Sequence, residues 1–325
     1  MECATSVRDD AVAGGRPATD VLDITVLMGG PSSEREVSLL SGTAVADALQ
    51  RRGHKVVRAD ISPADTAALD RDGIDVVFIA LHGPFGESGD VQRLCEARRL
   101  RYTGSGPRAS ELGMDKAATK QAARRLGLPT PDWMIVEEFH SAAEVAGWLP
   151  QLGLPVVVKP VDGGSSVDVT IARTGGERAA AMDAVTDKYG RVLLERFVPG
   201  REVTVGILGE RALPVLEIVP ARGFYDYHAK YSDGAGTSYT FEHGLDEAVV
   251  RKAQADAMAL FDALGCRHMA RVDFIVDAAG AAWMLEINTI PGFTGHSLLP
   301  MAAARAGIGF DELTDRIARM AMEDT

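Results

Sequence analysis

From Asp23 onward the chain alternates short apolar runs with amphipathic stretches. The run I-T-V-L-M from Ile24 predicts a strand, and S-E-R-E from Ser33 opens an amphipathic helix that continues to about Arg52. H-K-V-V-R from His54 and D-V-V-F-I-A-L from Asp75 predict two further strands, the last ending at His82-Gly83. Strand–helix–strand alternation implies a parallel sheet with helices on its faces, and ligands gather beyond the carboxyl ends of such strands. Gly29-Gly30 and His82-Gly83 both fall there. A second unit, from about Ser105 to Gly200, holds a helix containing M-D-K-A-A-T-K from Met114. It also holds a strand over Pro155–Pro160, the loop D-G-G-S-S-V-D from Asp162, and V-L-L-E-R-F-V from Val192. A third unit opens with E-V-T-V-G-I-L after Arg201 and closes with a helix rich in Ala and Met. Within it, the polar stretch from Phe224 to Tyr239 is long for a plain connection, a length typical of functional lids or disordered segments.

The stretch from Ala270 to Asn288 predicts two strands joined by a tight D-A-A-G turn. Opposed residues of a hairpin share a face. A turn centred on Ala278 and Ala279 sets Arg271 opposite Glu286, with Asp273 and Asn288 on the same side. Val272, Phe274, Val276, Trp283, Leu285 and Ile287 then form the core face. Two carboxylates, a carboxamide and a guanidinium gathered on one side suit Mg2+, which takes one or two carboxylates and completes its shell with phosphate oxygens. The plainer alternative is a solvated polar face balanced by an Arg–Asp pair. The Pro-Gly-rich loop that follows, T-I-P-G-F-T-G-H-S-L, is suited to bringing backbone N–H groups and Ser297 near a ligand.

With 325 residues the chain is long enough for two or three domains with their own cores. A net charge of −12 argues against broad contact with a nucleic-acid backbone, while leaving room for a local nucleotide site. The cysteines Cys3, Cys95 and Cys266 are scattered and fit neither a metal cluster nor a disulfide framework, so a reducing cytoplasm is the expected setting. No apolar run approaches the ~18 residues of a membrane span, and residues 1–22, lacking an apolar segment, are expected to form a flexible tail.

Several motifs admit two uses. The D-G-G-S-S-V-D loop can form an anion-binding nest or a simple hairpin turn. Lys159 at a strand end adds a cation nearby, and Lys116 on a helix could add another or be solvated. Ser33 and Glu36 have capping-box spacing; alternatively, Glu36 sits at the ligand-facing end of the first strand and holds a substrate ammonium. Gly29-Gly30 with Asp60 faintly imitates a dinucleotide fold, but G-x-G-x-x-G and Walker A sequences are both absent. Lys230 and Tyr231 in the long polar stretch are either ordinary surface residues or part of a lid that reaches a γ-phosphate.

Eight segments in order resemble the D-alanine–D-alanine ligase family of the ATP-grasp superfamily, from about Asp23 to the C-terminus. They are G-G-P-S-S-E-R-E-V-S, L-H-G-P-F-G-E, Y-T-G-S-G, M-D-K, K-P-V-D-G-G-S-S-V, F-Y-D-Y-H-A-K-Y, R-V-D and E-I-N-T-I-P-G-F-T-G-H-S-L. The resemblance implies a mixed α/β, three-domain ATP-grasp fold. An N-terminal, Rossmann-like parallel-sheet domain (23–104) would bind substrate. ATP would lie between a central domain (105–200) and a C-terminal catalytic domain (201–325) whose lid spans about 224–243. The implied reaction joins two D-alanines for peptidoglycan synthesis. One carboxylate takes the γ-phosphate of ATP, and the second amine displaces phosphate from the resulting acyl phosphate. A ligase of the same fold with a D-lactate or D-serine acceptor is the nearest alternative; a non-catalytic ATP-binding module is a more distant one.

By the same resemblance, Asp273, Glu286 and Asn288 hold one or two Mg2+, or Mn2+. Lys116, Lys159 and Lys230 contact ATP phosphates; Glu195 and the backbone of Arg196 to Val198 meet adenine, Glu202 meets the ribose hydroxyls, and Ser166 and Leu285 also bind ATP. Glu36 binds the first D-alanine's ammonium with His82 nearby, and Ser297 and Leu298 bind the second D-alanine's carboxylate. Arg271 and the Gly292 backbone stabilise the oxyanion, while Glu36, Ser165 and Tyr231 link to close the lid. A homodimer is the expected assembly. Four places depart from the family pattern: Asp168 stands for a usual Gly, His228 for a usual Glu, Asp90 for a common Thr, and F-E-H-G-L from Phe241 for a Pro-Ala pair.

Overall fold

In the computed structural model β1 (Asp23–Met28), α1 (Arg35–Arg51), β2 (Lys55–Asp60) and β3 (Val76–Ile79) build the first unit. The structure describes residues 21–137, 140, 142–164, 167–220 and 237–324. The three strands form a parallel sheet in the order β2-β1-β3. Every residue of β3 is buried, as continuous Val/Ile/Phe runs require when both faces are covered. The inner face of α1 carries Ser38, Ser41, Val45 and Leu49. Its close approach to β1 requires Gly42, where a Cβ would lie 2.4 Å from that of Met28. Two short helices, α2 (Pro84–Glu87) and α3 (Asp90–Ala97), follow β3.

The sequence around Met114 forms two helices rather than one, α4 (Pro107–Met114) and α5 (Lys116–Arg125). Asp115 between them is extended, and its carboxylate accepts from the Ala118 N–H at 2.8 Å, capping α5. Then come β4 (Trp133–Glu137), α6 (Ala142–Leu152), β5 (Val156–Pro160), β6 (Thr170–Ala172), α7 (Gly175–Tyr189) and β7 (Arg191–Arg196). Their strands make an antiparallel sheet, β4-β7-β5-β6.

The last unit comprises β8 (Arg201–Leu208), β9 (Arg211–Ala212), β10 (Leu216–Val219), β11 (Ser238–Thr240) and α8 (Glu247–Leu264). It continues through β12 (Met269–Val276), β13 (Ala282–Asn288), α9 (Leu298–Arg305) and α10 (Phe310–Glu323). Its antiparallel sheet runs β11-β10-β8-β12-β13, with β9 on β8. Ala109 of α4 and Ala123 of α5 share one apolar cluster with Val203, Leu260, Val272 and Met284. Packing therefore groups residues 107–125 with this third sheet. The final helix, α10, returns to α1: Arg52 and His54 both reach Asp315, at 2.9 and 2.8 Å.

The hairpin differs from its expected register. Asp277 N–H donates to Ala281 O at 3.0 Å, closing a loop of three residues rather than two, with Gly280 at φ +82°. A bulge then falls at Leu285, because Asp273 pairs with Glu286 but Phe274 with Met284. Together these two shifts move the far end by two residues, so Arg271 lies opposite Asn288, not Glu286. An even shift preserves faces, and the four polar residues still share one side. Near the turn only the odd shift applies. Met284 and Ala282 enter the core there in place of Leu285 and Trp283, which stay partly exposed.

Candidate functional site

Two adjacent cavities share lining residues at the polar side of the hairpin. The larger, about 310 Å3, lies between the four-stranded and six-stranded sheets. Val157 and Ile171 form one apolar wall and Ile275 and Leu285 the other, a slot suited to a flat ring system. Arg196, Val198, Glu202 and Asp273 also line it. The smaller cavity, about 90 Å3, is enclosed by Glu34, His82, Arg271, Asn288, Gly292, Ser297 and Leu298. Lys116, Gly163, Gly164 and Glu286 line both. A ligand filling the larger cavity would thus present its near end to a second ligand in the smaller one.

The junction is rich in paired charge. Arg271 grips Asp273 with two hydrogen bonds of 2.9 Å, and the Thr204 hydroxyl donates to the same carboxylate at 2.6 Å. Lys116, buried at the start of α5, donates to the Gly163 carbonyl and stands 3.8 Å from Glu286. Asn288 accepts from the Ile290 N–H at 2.9 Å, which sets the exit direction of the loop toward Gly292.

At the far end of the slot Glu195 is fully desolvated. Its carboxylate lies 2.5 Å from the Lys159 ammonium and 3.4 Å from that of Lys120. Burial opposes its charge, yet these two ammoniums hold the carboxyl below the usual range. Lys120 was not among the residues expected from sequence. It lies on the face of α5 that carries Lys116, one turn away. Burial pushes its ammonium down to about 8, against the pull of Glu195.

The structure corrects the expectation for Glu36. Its side chain is exposed and lines neither cavity. Glu34 is the buried residue at the end of the loop after β1. A Cβ added to Gly164 would come 3.0 Å from its Oε2, so its carboxylate abuts the glycine-rich loop. The capping box also fails: Glu34, not Ser33, occupies the N-cap of α1, with no side-chain cap. A signal for Glu34 existed in the sequence. Positions 34, 38, 41 and 45 follow a helical stripe, whereas Glu36 lies well off it. The faint dinucleotide pattern resolves as a clamp, with Asp60 accepting from Arg35 and from the Gly30 N–H at 3.3 Å.

His82 is held from both sides. Its Nε2 lies 3.1 Å from the Ser41 hydroxyl, which accepts from the Phe293 N–H at 3.2 Å. On the other side its Nδ1 lies 3.5 Å from the Glu87 carboxylate. Ser41 was missed because its partners, His82 and Phe293, lie on distant segments, whereas Glu87 sits within the L-H-G-P-F-G-E motif itself.

Asp168 adopts a left-handed conformation, φ +57°, and turns away from the cleft. Its carboxylate bonds Lys188 and Tyr189 of α7, each at 2.7 Å, and the Lys188 bond holds it below its usual pKa. Asp90 sits on the surface at the start of α3, paired with Ser88 and Arg93. Of the F-E-H-G-L segment, Phe241 and Glu242 contact Arg305. Ser165, Ser166, His228, Lys230 and Tyr231 lie outside the described residues.

Two family models match the chain, D-ala D-ala ligase C-terminus over residues 122–319 and D-ala D-ala ligase N-terminus over 62–105. A D-alanine–D-alanine ligase of Anaeromyxobacter dehalogenans is 45% identical over 294 residues, spanning 90% of this chain and 95% of that relative. The chain belongs to the D-alanine–D-alanine ligase family. Its shape agrees: the ATP complex of the Bacillus anthracis D-alanine–D-alanine ligase superposes with a TM-score of 0.81 at 32% identity, covering 94% of this chain and 98% of that one. The D-Ala:D-Ser ligase VanG of Enterococcus faecalis also gives 0.81, at 26% identity, covering 93% and 100%. The mixed α/β architecture, with one parallel and two antiparallel sheets, is therefore that of the D-alanine–D-alanine ligases.

Proposed function

We propose that this protein ligates two D-alanines to D-alanyl-D-alanine at the expense of ATP, supplying a peptidoglycan precursor. The observation that carries it is the pair of cavities that share Lys116, Gly163, Gly164 and Glu286. The base would lie in the apolar slot with Glu195 at its end and Glu202 toward the ribose. The phosphates would run along Lys159 and Lys116 to the junction. There the first D-alanine, its ammonium held by Glu34 beside His82, attacks the γ-phosphorus through its carboxylate, and ADP leaves. The second D-alanine, its carboxylate on Ser297 and Leu298, attacks the acyl carbon with its amine. Arg271 and the Gly292 N–H stabilise the oxyanion until phosphate departs.

The donor set at the junction fits a hard cation. Asp273 and Glu286 are cross-strand partners and Asn288 lies beyond them, all oxygen donors. The set would comprise two carboxylates and one carboxamide; no group of three or more His, Cys, Asp or Glu suited to a metal occurs among the described residues. Mg2+ or Mn2+ bound there would draw charge from the β- and γ-phosphates. Glu34 beside Gly164 would replace Glu36 in the link to Ser165 and Tyr231. We retain 23–104, 105–200 and 201–325 as a working division, with 107–125 packed on the third unit, and homodimeric assembly and a cytoplasmic location as further proposals. Among the described residues no helix is long and apolar enough to cross a membrane.

The test is phosphate release from Mg-ATP with and without D-alanine, the product identified by mass. D-alanine-dependent release with a dipeptide product is expected; chelation should abolish it, and Mg2+ or Mn2+ should restore it. Release that requires D-serine or D-lactate instead would redirect the acceptor assignment. A carboxylate at position 168 would favour a non-catalytic module if it met ATP, but that of Asp168 faces α7. Asp168→Gly is accordingly expected to change turnover by no more than about twofold, the scale of one exposed ion pair. A rise of tenfold or more in the same assay would mean that the carboxylate does impede ATP.

A further inference from the structure

Lys120 has no exposed surface, and its charge partner, Glu195, lines one end of the slot. Its ammonium donates to the Thr130 hydroxyl at 2.6 Å, and that hydroxyl donates to the Met284 carbonyl at 2.8 Å. The Trp133 ring lies 5.4 Å from it, closing off solvent. Its charge partner is Glu195, shared with Lys159. The two lysines differ in what else they can do. Lys159 also lines the larger cavity, and the proposed function gives it to the nucleotide's phosphates. Lys120 does not line that cavity and is fastened to β13 through Thr130.

We propose that Lys120 is a positioning residue that sets base specificity: it is the fixed counter-cation that keeps Glu195 ionised and aimed into the slot when Lys159 turns to phosphate. This inference rests on the ATP-site assignment made above. An ionised carboxylate only accepts hydrogen bonds. It therefore favours a purine carrying a 6-amino donor and repels one carrying a 6-oxo acceptor. Without Lys120, engagement of Lys159 by phosphate would leave a buried carboxylate with no cation. Such a group takes up a proton and becomes a donor, and its preference is lost. Lys116 and Lys120, one turn apart on α5, would thus serve the phosphate and base ends of one ligand.

The test compares affinities for ATP and ITP, which differ in the 6-substituent, by calorimetric titration of the full-length protein and of Lys120→Met. Methionine keeps the length and apolar packing of the lysine stem. The wild type is expected to prefer ATP, and K120M to lose roughly tenfold to a hundredfold of that preference through weaker ATP binding, the worth of a hydrogen bond to a charged acceptor. A variant that binds ATP and ITP in the wild-type ratio would overturn the proposal. So would one in which both affinities fall in parallel, since Lys120 would then only support packing. Should K120M not fold, the double variant K120M/E195Q removes both buried charges. It is expected to show no preference, and retention of the wild-type ratio would overturn the proposal equally. A wild type that fails to bind or turn over ATP would instead refute the underlying assignment.

Discussion

Glu286→Gln is expected to lower D-alanine-dependent phosphate release by about 10^3-fold, the loss typical when one group stabilising transition-state charge is removed. Glu286 faces both cavities, stands 3.8 Å from the Lys116 ammonium, and is the cross-strand partner of Asp273. Glutamine keeps its volume and one acceptor oxygen but removes its negative charge, leaving Asp273 as the one carboxylate of the proposed set. The Glu286 side chain is partly exposed, so melting temperature should hold, with a stability change within about 0.5 kcal/mol. Asp273 makes a poorer test. It is buried against the Arg271 guanidinium, and its removal would break that buried pair at a cost of about 3–5 kcal/mol. Normal phosphate release by a folded E286Q protein would take Glu286 out of the cation set.

Glu34→Gln is expected to lower kcat/KM for D-alanine by roughly a hundredfold, as loss of a charge-assisted hydrogen bond to a substrate ammonium implies. Glu36→Gln should stay within about twofold, in keeping with a surface substitution. The contrast follows from position alone. Glu34 lines the smaller cavity against the glycine-rich loop, whereas Glu36 is turned to solvent. Initial rates over a range of D-alanine concentrations decide the matter, and an E36Q defect larger than that of E34Q would restore the original assignment.

Local pattern went far in this chain. The three strands of the parallel sheet, α1, β5, β7 and the hairpin all lie within a few residues of where apolar periodicity puts them, because each buries a face whose spacing is written in consecutive positions. The residue types gathered on the hairpin's polar side were legible for the same reason. Their cross-strand partners were not. An extra turn residue and the bulge at Leu285 are backbone events, and they exchanged Leu285 and Trp283 for Met284 and Ala282 in the core while leaving the far end in phase. Glu34 was within reach of the helical stripe it shares with Ser38 and Ser41, but two glutamates two residues apart made the choice look open.

The sequence by itself determined the order of elements, the family and the chemistry of the donor set, because these depend on residue identity and spacing along one segment. Only the tertiary structure decided which of two neighbouring glutamates faces the smaller cavity. It also turned Asp168 toward Lys188 and Tyr189, joined Ser41 to both His82 and Phe293, and buried Lys120 against Glu195. Each of these pairings spans segments separated by at least 20 residues. It arises from how packed sheets and helices bring side chains together, and no periodicity within a single segment encodes that.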